Sequence, residues 1–187
     1  RRANDTTMDA NHLYEQIVKK QSFLCVGLDT DLRKIPVSLS GKHDPMYEFN
    51  KAIIDATADL CVAYKPNMAF YEVNGARGWE SLARTVQYLR EHHPEIMIIA
   101  DAKRGDISNT ASMYAKSMFA SMDFDAVTIA PYMGRDAVQP FLEYVGRWVV
   151  LLAVTSNESY EDFQTLQVNS PHGEQRQLFE EVLERSR

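Results

Sequence analysis

The sequence predicts an α/β fold in which parallel strands alternate with helices. Five short apolar runs are rich in Val, Ile and Leu with little polar alternation, which is typical of strands covered on both faces. Segments with helical periodicity separate these runs, and strands that alternate with helices form parallel sheets through right-handed crossovers. Periodicity alone leaves open whether such a sheet is doubly wound or closed into a barrel.

The elements follow one another in a regular order. The predicted strands are Phe23–Leu28, Leu60–Tyr64, Ile96–Ala100, Ala126–Ala130 and Trp148–Val154. The predicted helices are 9–20, Pro45–Asp59, Gly78–His92, Ile107–Met122, Arg135–Tyr144 and 174–185. In the second helix Phe49, Ile53 and Ala56 recur at three- and four-residue steps, which indicates a core-facing stripe. Asp9 and Asn11 are the candidate caps of the first helix.

Composition and charge exclude several classes of protein. The 187 residues are 45% hydrophobic and 25% charged, which is enough apolar surface for a folded globular protein. Lys and Arg number 20 against 26 Asp and Glu, a net charge of −6, so nucleic acid is not an expected partner. No apolar stretch approaches the roughly 20 residues that span a bilayer, so no membrane partner is expected either.

The two cysteines lie inside apolar runs. Cys25 and Cys61 are therefore predicted to be buried thiols in strands, with a disulfide between them as the alternative. Two cysteines in an acidic chain fit a reducing compartment, so we expect a cytoplasmic protein. The sequence has no Cys/His cluster with zinc spacing and no glycine-rich phosphate or dinucleotide loop, and it predicts neither a metal nor a cofactor.

Polar side chains follow the predicted strands at their carboxyl ends, where ligands bind in both kinds of α/β fold. Charged groups there are costly unless they serve one another or a ligand. Ordinary loop polarity is the alternative, above all for residues 155–157. The candidates at this rim are Asp29, Lys65, Asn67, Asp101, Lys103, Asp106, Pro131, Thr155, Ser156 and Asn157.

The stretch after the third strand is the most informative. Asp101 and Lys103 are two residues apart, so their side chains are expected on the same side of the strand. A charged lysine held between carboxylates is a well-placed acid that can deliver a proton to a carbanion. Asp106 has a second candidate role as the cap of the next helix. Asp29 and Lys65, on neighbouring strand ends, are expected to form a second ion pair in the same network.

These motifs occur together in a known family. The stretch IIADAKRGDISNT carries D-x-K-x-x-D-I-x-x-T, and FLCVGLD, VAYKPNMAFYE, DAVTIAPYMG and LLAVTSN accompany it. Together they resemble the orotidine 5'-phosphate decarboxylases, most of all the longer bacterial-type subfamily with the K-P-N motif. The resemblance runs from about Leu13 to about Gln164. A wider suprafamily shares D-x-K-x-x-D, whereas its combination with G-L-D and K-P-N is more specific.

The resemblance implies a (β/α)8 TIM barrel that converts orotidine 5'-phosphate to uridine 5'-phosphate and carbon dioxide, in de novo pyrimidine biosynthesis, without a metal or organic cofactor. It implies that Lys103 protonates carbon 6 of the pyrimidine and that Asp101 lies against the substrate carboxylate. It further implies a homodimer, in which Asp106 and Thr110 reach into the other subunit's active site. The implied substrate-binding residues are Asp29, Lys65, Asn67, Ile107, Thr110, Pro131, Ser156 and Asn157.

The length departs from the family pattern. A barrel of eight strands takes about 250 residues, whereas five strands are predicted here, and the family's glycine-rich phosphate turn, Gln and late Arg are not found. We therefore expect a tail over residues 1–8 and one C-terminally incomplete barrel domain over 9–187. One alternative is a magnesium-dependent sugar-phosphate decarboxylase or aldolase of the suprafamily, although Lys65 occupies the place of its acidic metal ligand. The other is a truncated fragment without catalytic activity.

Overall fold

A five-stranded parallel sheet organises the chain, in a computed structural model that describes residues 8–171 and 173–187. The strands are β1 (Leu24–Gly27), β2 (Cys61–Lys65), β3 (Met97–Arg104), β4 (Ala126–Ile129) and β5 (Trp148–Leu151). They are paired in chain order, with β1 and β5 at the two edges. A doubly wound sheet reverses its strand order partway, whereas this sheet grows in one direction, as the wall of a barrel does. The predicted α/β class is confirmed.

Helices connect the strands. They are α1 (Ala10–Lys20), α2 (Val37–Ser40), α3 (Pro45–Thr57), α4 (Met68–Glu72), α5 (Gly75–His92), α6 (Ser108–Ala115), α7 (Arg135–Leu142) and α8 (Leu178–Arg185). The Asp9 side chain accepts from the His12 N–H and caps α1, as predicted. Asp44 caps α3 in the same way, and Pro45 suits the first helical position because its missing N–H would be unpaired there. Within the described residues, no helix has the length and apolarity that crossing a membrane requires.

The core lies between the central strands and the helices. Tyr64, Ile98 and Val127, one from each central strand, are completely buried. On α5 the buried residues Leu82 and Leu89 belong to the apolar stripe that packs into the same cluster. The apolar strands thus remove their side chains from water, which is the main stabilising contribution to the fold.

The edge strand explains one wrong prediction. β1 has a neighbour only at β2 among the described residues, and most of its residues are exposed. Cys25, in β1, is therefore exposed, whereas Cys61, in β2, is buried as predicted. Neither cysteine forms a disulfide.

Two of the predicted helices have clearly different bounds in the structure. Residues Gln175–Gln177 form a strand, β7, antiparallel to β6 (Gln167–Asn169), so the helix predicted from 174 begins only at Leu178. A capping box between Gln177 and Glu180 sets that start. The helix predicted over 107–122 is split, because α6 ends at Ala115 and a π-helical segment, Lys116–Ser121, continues it.

Met8 was expected in the N-terminal tail but belongs to the folded domain. It is buried in a small cluster with Ala63, Met97 and Ala126. The Trp148 indole N–H donates to the Met8 carbonyl, which ties this residue to β5. The remainder of the predicted tail, residues 1–7, lies outside the described residues.

Candidate active site

The predicted rim is formed by the carboxyl ends of the parallel strands. The third strand continues past its predicted end at Ala100 to Arg104, so Asp101 and Lys103 belong to β3 itself. Ala100 pairs with Val127 and Arg104 with Ile129, which leaves three residues of β3 opposite a single residue of β4. This irregularity is a bulge, and bulges re-aim side chains next to many active sites.

Asp101 is the centre of a charged cluster at this bulge. Lys103 Nζ lies 2.5 Å from Asp101 Oδ1, and Lys65 Nζ lies 3.1 Å from Asp101 Oδ2. The Asp101 side chain is only 9% exposed, whereas that of Lys103 is 52% exposed. The predicted contact between Asp101 and Lys103 is confirmed. Two ammonium groups on one carboxylate give the cluster of Lys65, Asp101 and Lys103 a net positive charge, which favours an anionic ligand beside the lysines.

The environment of Asp101 favours its charged form. Burial raises the pKa of the Asp101 carboxyl, but hydrogen bonds from Lys103 and Lys65 outweigh burial and bring the pKa below its usual range. The carboxylate is therefore ionised near neutral pH and holds both lysines.

The predicted ion pair between Asp29 and Lys65 is wrong. Lys65 reaches from β2 to Asp101 on β3 instead. Asp29 follows the end of β1 and is exposed between the buried residues Leu28 and Thr30, and among the described residues it makes no hydrogen bond or ion pair. Asp29 is consequently free to meet a ligand, and its role in substrate binding stays a prediction.

A buried polar network holds the loop that carries Asp29. The Tyr71 hydroxyl donates to the Leu28 carbonyl at 2.8 Å, and Asn50 Nδ2 donates to the Tyr71 hydroxyl at 3.0 Å. The Thr30 hydroxyl donates to Asn50 Oδ1 at 2.5 Å. This network was not predicted from the sequence. Its one signal was a polar residue, Asn50, on the buried side of the amphipathic helix α3.

The residues that follow β2 and β3 have local partners. Asn67 caps α4 by accepting from the Ala69 N–H, and its backbone bridges to Asp101. Asp106 Oδ1 accepts from the Ile107 N–H, and Ile107, not Asp106, occupies the cap position of α6. The alternative role of Asp106 as a helix cap is therefore wrong. Among the described residues, the Asp106 carboxylate forms no ion pair.

Two further predicted residues lie on the segment after β3. Ile107 is exposed, and Thr110 is half-buried in the first turn of α6. The Thr110 hydroxyl lies 3.4 Å from Asn109 Oδ1. No hydrogen bond or ion pair within the described residues joins Thr110 or Asp106 to the Asp101 cluster. Their predicted place in a second subunit's site stays a prediction.

Close backbone packing follows the lysine. Gly105 lies against β4, and a Cβ added there would come 2.7 Å from the Ala130 carbonyl oxygen. Only glycine fits this approach, which brings the segment after Lys103 against the end of β4. Pro131 follows directly and begins a 3-10 turn, Pro131–Met133.

The segment after β5 forms a separate polar group. The Thr155 hydroxyl donates to Asn157 Oδ1 at 2.6 Å, and Gln164 Nε2 donates to the Thr155 hydroxyl at 2.9 Å. Ser156 is exposed. In the part of the chain that the structure describes, neither Ser156 nor Asn157 contacts the Asp101 cluster through a hydrogen bond. The structure does not bring these two predicted residues into the charged group.

Comparison with known proteins identifies the fold family. The family described as "Orotidine 5'-phosphate decarboxylase / HUMPS family" matches residues 22–185. An orotidine 5'-phosphate decarboxylase of Phocaeicola vulgatus is 56% identical over 179 residues, which are 96% of this chain and 64% of that protein. One from Parabacteroides distasonis is 59% identical and covers 96% of this chain, which spans 62% of its length. The chain thus spans somewhat less than two thirds of these relatives.

Solved structures agree in fold. The Leishmania donovani OMP decarboxylase superposes with a TM-score of 0.79 at 38% identity, over 94% of this chain and 63% of its own. The Leishmania donovani UMP synthase superposes with a TM-score of 0.81 at 38% identity, over 96% of this chain and 36% of its own. The five parallel strands therefore form part of a TIM-barrel fold. The chain belongs to the orotidine 5'-phosphate decarboxylase / HUMPS family.

Proposed function

We propose that this chain carries the reacting groups of an orotidine 5'-phosphate decarboxylase, a lyase that works without a metal or organic cofactor and forms uridine 5'-phosphate. The observation that carries the proposal is the ion-pair array of Lys65, Asp101 and Lys103 at the carboxyl ends of adjacent strands. Its relatives bear the name of this enzyme, and its motifs occupy the rim where barrel enzymes hold their substrates.

The chemistry asks for a fixed cation beside a developing carbanion. When the bond between carbon 6 and the carboxylate breaks, its electron pair stays on carbon 6 and carbon dioxide leaves. Lys103 Nζ then gives a proton to carbon 6, which completes the product. An ammonium group held in place by Asp101 stabilises that charge as it forms, without a reorganisation step.

Asp101 has a second role in the proposal. It lies against the substrate carboxylate and favours loss of carbon dioxide by repulsion in the bound state. Asp29 and Lys65 bind the ribose hydroxyls, and Ser156, with Asn157 beside it, contacts the pyrimidine. Asn67, Ile107, Thr110 and Pro131 complete the substrate-binding set. Much of the rate enhancement comes from binding such remote parts of the substrate more strongly in the transition state.

Lys65 also separates this activity from the magnesium-dependent branch of the suprafamily. That branch needs an acidic metal ligand at the end of the second strand, whereas here Lys65 is paired with Asp101. A cation is repelled by an ammonium group at this place. Isothermal titration with Mg²⁺ tests the distinction: we expect no tight binding, and tight binding would favour the sugar-phosphate reaction.

The decisive experiment replaces the lysine. In the complete protein, Lys103→Ala should abolish release of carbon dioxide from orotidine 5'-phosphate while uridine 5'-phosphate still binds in calorimetry. Lys19→Ala, at an exposed site on α1, is the matched control and should keep wild-type turnover. Near-normal turnover of Lys103→Ala would contradict the role as proton donor. A folded wild-type protein without turnover would contradict the proposed activity itself.

We further propose a homodimer with shared sites, in which Asp106 and Thr110 reach the partner's substrate. Four large apolar side chains are exposed on α6 and on the segments after β3 and β4, an arrangement typical of interfaces. They are Ile107, Met113, Tyr132 and Met133. Mixed dimers of Lys103→Ala and Asp106→Ala should recover partial activity, because one of their two sites is intact. No recovery after confirmed subunit exchange would argue against sharing.

We place the protein in the cytoplasm. Both cysteines are free, and the exposed thiol of Cys25 suits a reducing compartment. Cell fractionation with an antibody to the chain tests this location.

A further inference from the structure

The bulge of β3 lies outside the regular pairing of β3 with β4, and it includes the N–H groups of Ala102 and Lys103. Between the pairs Ala100–Val127 and Arg104–Ile129, only Thr128 of β4 faces Asp101, Ala102 and Lys103. Buried N–H groups need an acceptor, and here the strand ladder does not supply one. Something other than backbone pairing must hold this segment in place.

The Thr128 hydroxyl supplies the missing contacts. It accepts from the N–H of Ala102 and from the N–H of Lys103, each at 2.9 Å. It donates its own proton towards Asp101 Oδ1 at 3.1 Å, with the Ala100 carbonyl at 3.5 Å as the second acceptor in range. A hydroxyl offers one donor and two acceptor sites, so all three are used.

The same carboxylate oxygen receives the lysine. Asp101 Oδ1 accepts from both the Thr128 hydroxyl and Lys103 Nζ. Lys103 also has a φ of 47°, in the left-handed region that a residue with a long side chain rarely adopts. Such a conformation persists only where the surroundings hold it. The hydroxyl therefore contacts the lysine backbone and the oxygen that orients the lysine ammonium.

We propose that Thr128 is a positioning residue that holds the bulge of β3 and thereby aims Lys103 Nζ at the site. The effect on turnover rests on the proposed decarboxylase function, whereas the effect on backbone geometry does not. Thr128 is 6% exposed and lies on the middle of an apolar strand, so it acts through Asp101 and Lys103 and not on the substrate.

Three variants test the proposal in the protein. Thr128→Val keeps the side-chain shape and removes the hydroxyl, whereas Thr128→Ser keeps the hydroxyl. Thr57→Val, at the end of α3, is the matched control, because it also removes a hydrogen-bonded threonine hydroxyl but lies away from the bulge. Thermal unfolding establishes that each variant is folded.

The first readout is independent of activity. In ¹⁵N-resolved NMR spectra, Thr128→Val should shift the amide signals of Ala102 and Lys103 and speed their exchange with solvent. Thr128→Ser and Thr57→Val should leave both amides as in the wild type. Unchanged amides in Thr128→Val would overturn the proposal, whatever reaction the protein catalyses. If that variant does not fold, fast exchange of both amides in the wild type would overturn it equally.

The second readout separates positioning from mere stability. Misplacing the lysine should lower kcat by about 100-fold, with KM for orotidine 5'-phosphate nearly unchanged. Thr128→Ser should restore most of the turnover, and Thr57→Val should keep it. Altered amides with wild-type kcat in Thr128→Val would refute the link to Lys103. A wild-type protein that lacks turnover would instead count against the decarboxylase function and leave the amide result standing.

Discussion

Lys65 Nζ lies 3.1 Å from Asp101 Oδ2 and joins the carboxyl ends of β2 and β3. The other oxygen of the same carboxylate binds Lys103. Lys65 therefore acts on Lys103 through a shared partner, and its loss should affect both the contact between the strands and the position of Lys103.

The stability of this contact can be measured directly. Lys65→Met should destabilise the protein by about 1–3 kcal/mol, between the values for exposed and buried ion pairs, because Lys65 is about one-third exposed. Urea unfolding gives the difference. Lys51→Met removes an exposed pair with Asp55 and should cost about 0.5 kcal/mol at most. Equal losses of unfolding free energy in the two variants would mean that the Lys65–Asp101 pair stabilises the protein no more than an exposed ion pair does.

The pH dependence of stability should report Asp101. Burial raises the pKa of its carboxyl, but hydrogen bonds from Lys103 and Lys65 bring the pKa below the value of about 3.9 that an unfolded Asp has. The unfolded state therefore takes up the proton first as the pH falls. The stabilisation is present above about pH 4 and is lost as the pH falls through the lowered pKa.

Asp101→Asn provides the check on that dependence. Unfolding free energies between neutral and acidic pH should fall less steeply in this variant than in the wild type. The carboxyl carbon of Asp101, followed by NMR, should titrate below the ordinary range. If the unfolding free energies of the two proteins fell equally steeply with acidic pH, the lowered pKa of Asp101 would be contradicted.

The buried network under Asp29 should support both folding and ligand binding. Burial raises the pKa of the Tyr71 hydroxyl, which keeps it a donor. Tyr71→Phe removes the partner of the Leu28 carbonyl and of the Asn50 amide, which should cost about 1–3 kcal/mol. It should also weaken binding of uridine 5'-phosphate in calorimetry, because the loop of Asp29 loses its support.

A matched tyrosine provides the control for that variant. Tyr14 is 66% exposed on α1, and Tyr14→Phe should change neither the unfolding free energy nor the affinity. Wild-type affinity in Tyr71→Phe would show that the network serves stability alone.

Asp125 should be the most sensitive carboxylate of the fold outside the site. It is almost completely buried, and Arg90 Nη2 and the Ile98 N–H each donate to its Oδ2 at 2.9 Å. Asp125→Ala removes one of the two carboxylates that pair with the largely buried Arg90, and it removes the acceptor of the Ile98 N–H, which together should cost about 3 kcal/mol. Asp59→Ala, at an exposed site after α3, should stay within about 0.5 kcal/mol of the wild type. Urea unfolding that fails to separate the two would contradict this ranking.

Local residue patterns were sufficient to predict the parallel strands and the rim. Apolar runs mark strands because burial depends on the side chains themselves, and parallel strands put their carboxyl ends on one edge. The contact between Asp101 and Lys103 was predicted from their two-residue spacing along a regular strand. In the structure Lys103 lies in the bulge of β3 with a φ of 47°, so the bulge and not regular alternation sets the side of the lysine. The family motifs then indicated the chemistry.

Only the tertiary structure shows which charged groups pair and which strand lies at the edge of the sheet. Lys65 pairs with Asp101 and not with Asp29, although β1 ends beside Lys65, where the Leu28 N–H donates to the Lys65 carbonyl. The reason is that β3 continues past the end of β2 and brings Asp101 within reach of Lys65 Nζ. Cys25 is exposed because its strand is an edge, which depends on pairing and not on the residues around it. Contacts between residues on different strands cannot be calculated from the spacing of those residues along the chain.

The amino-acid sequence determined which groups could react, whereas only the packing of β4 against β3 decided how they are held. Thr128 was not predicted as a site residue, since a single threonine in an apolar strand is usually a core residue whose hydroxyl has a local partner. Its importance arises from a bulge that opposes three residues to one. Such a register is a property of two strands together, and neither strand encodes it alone.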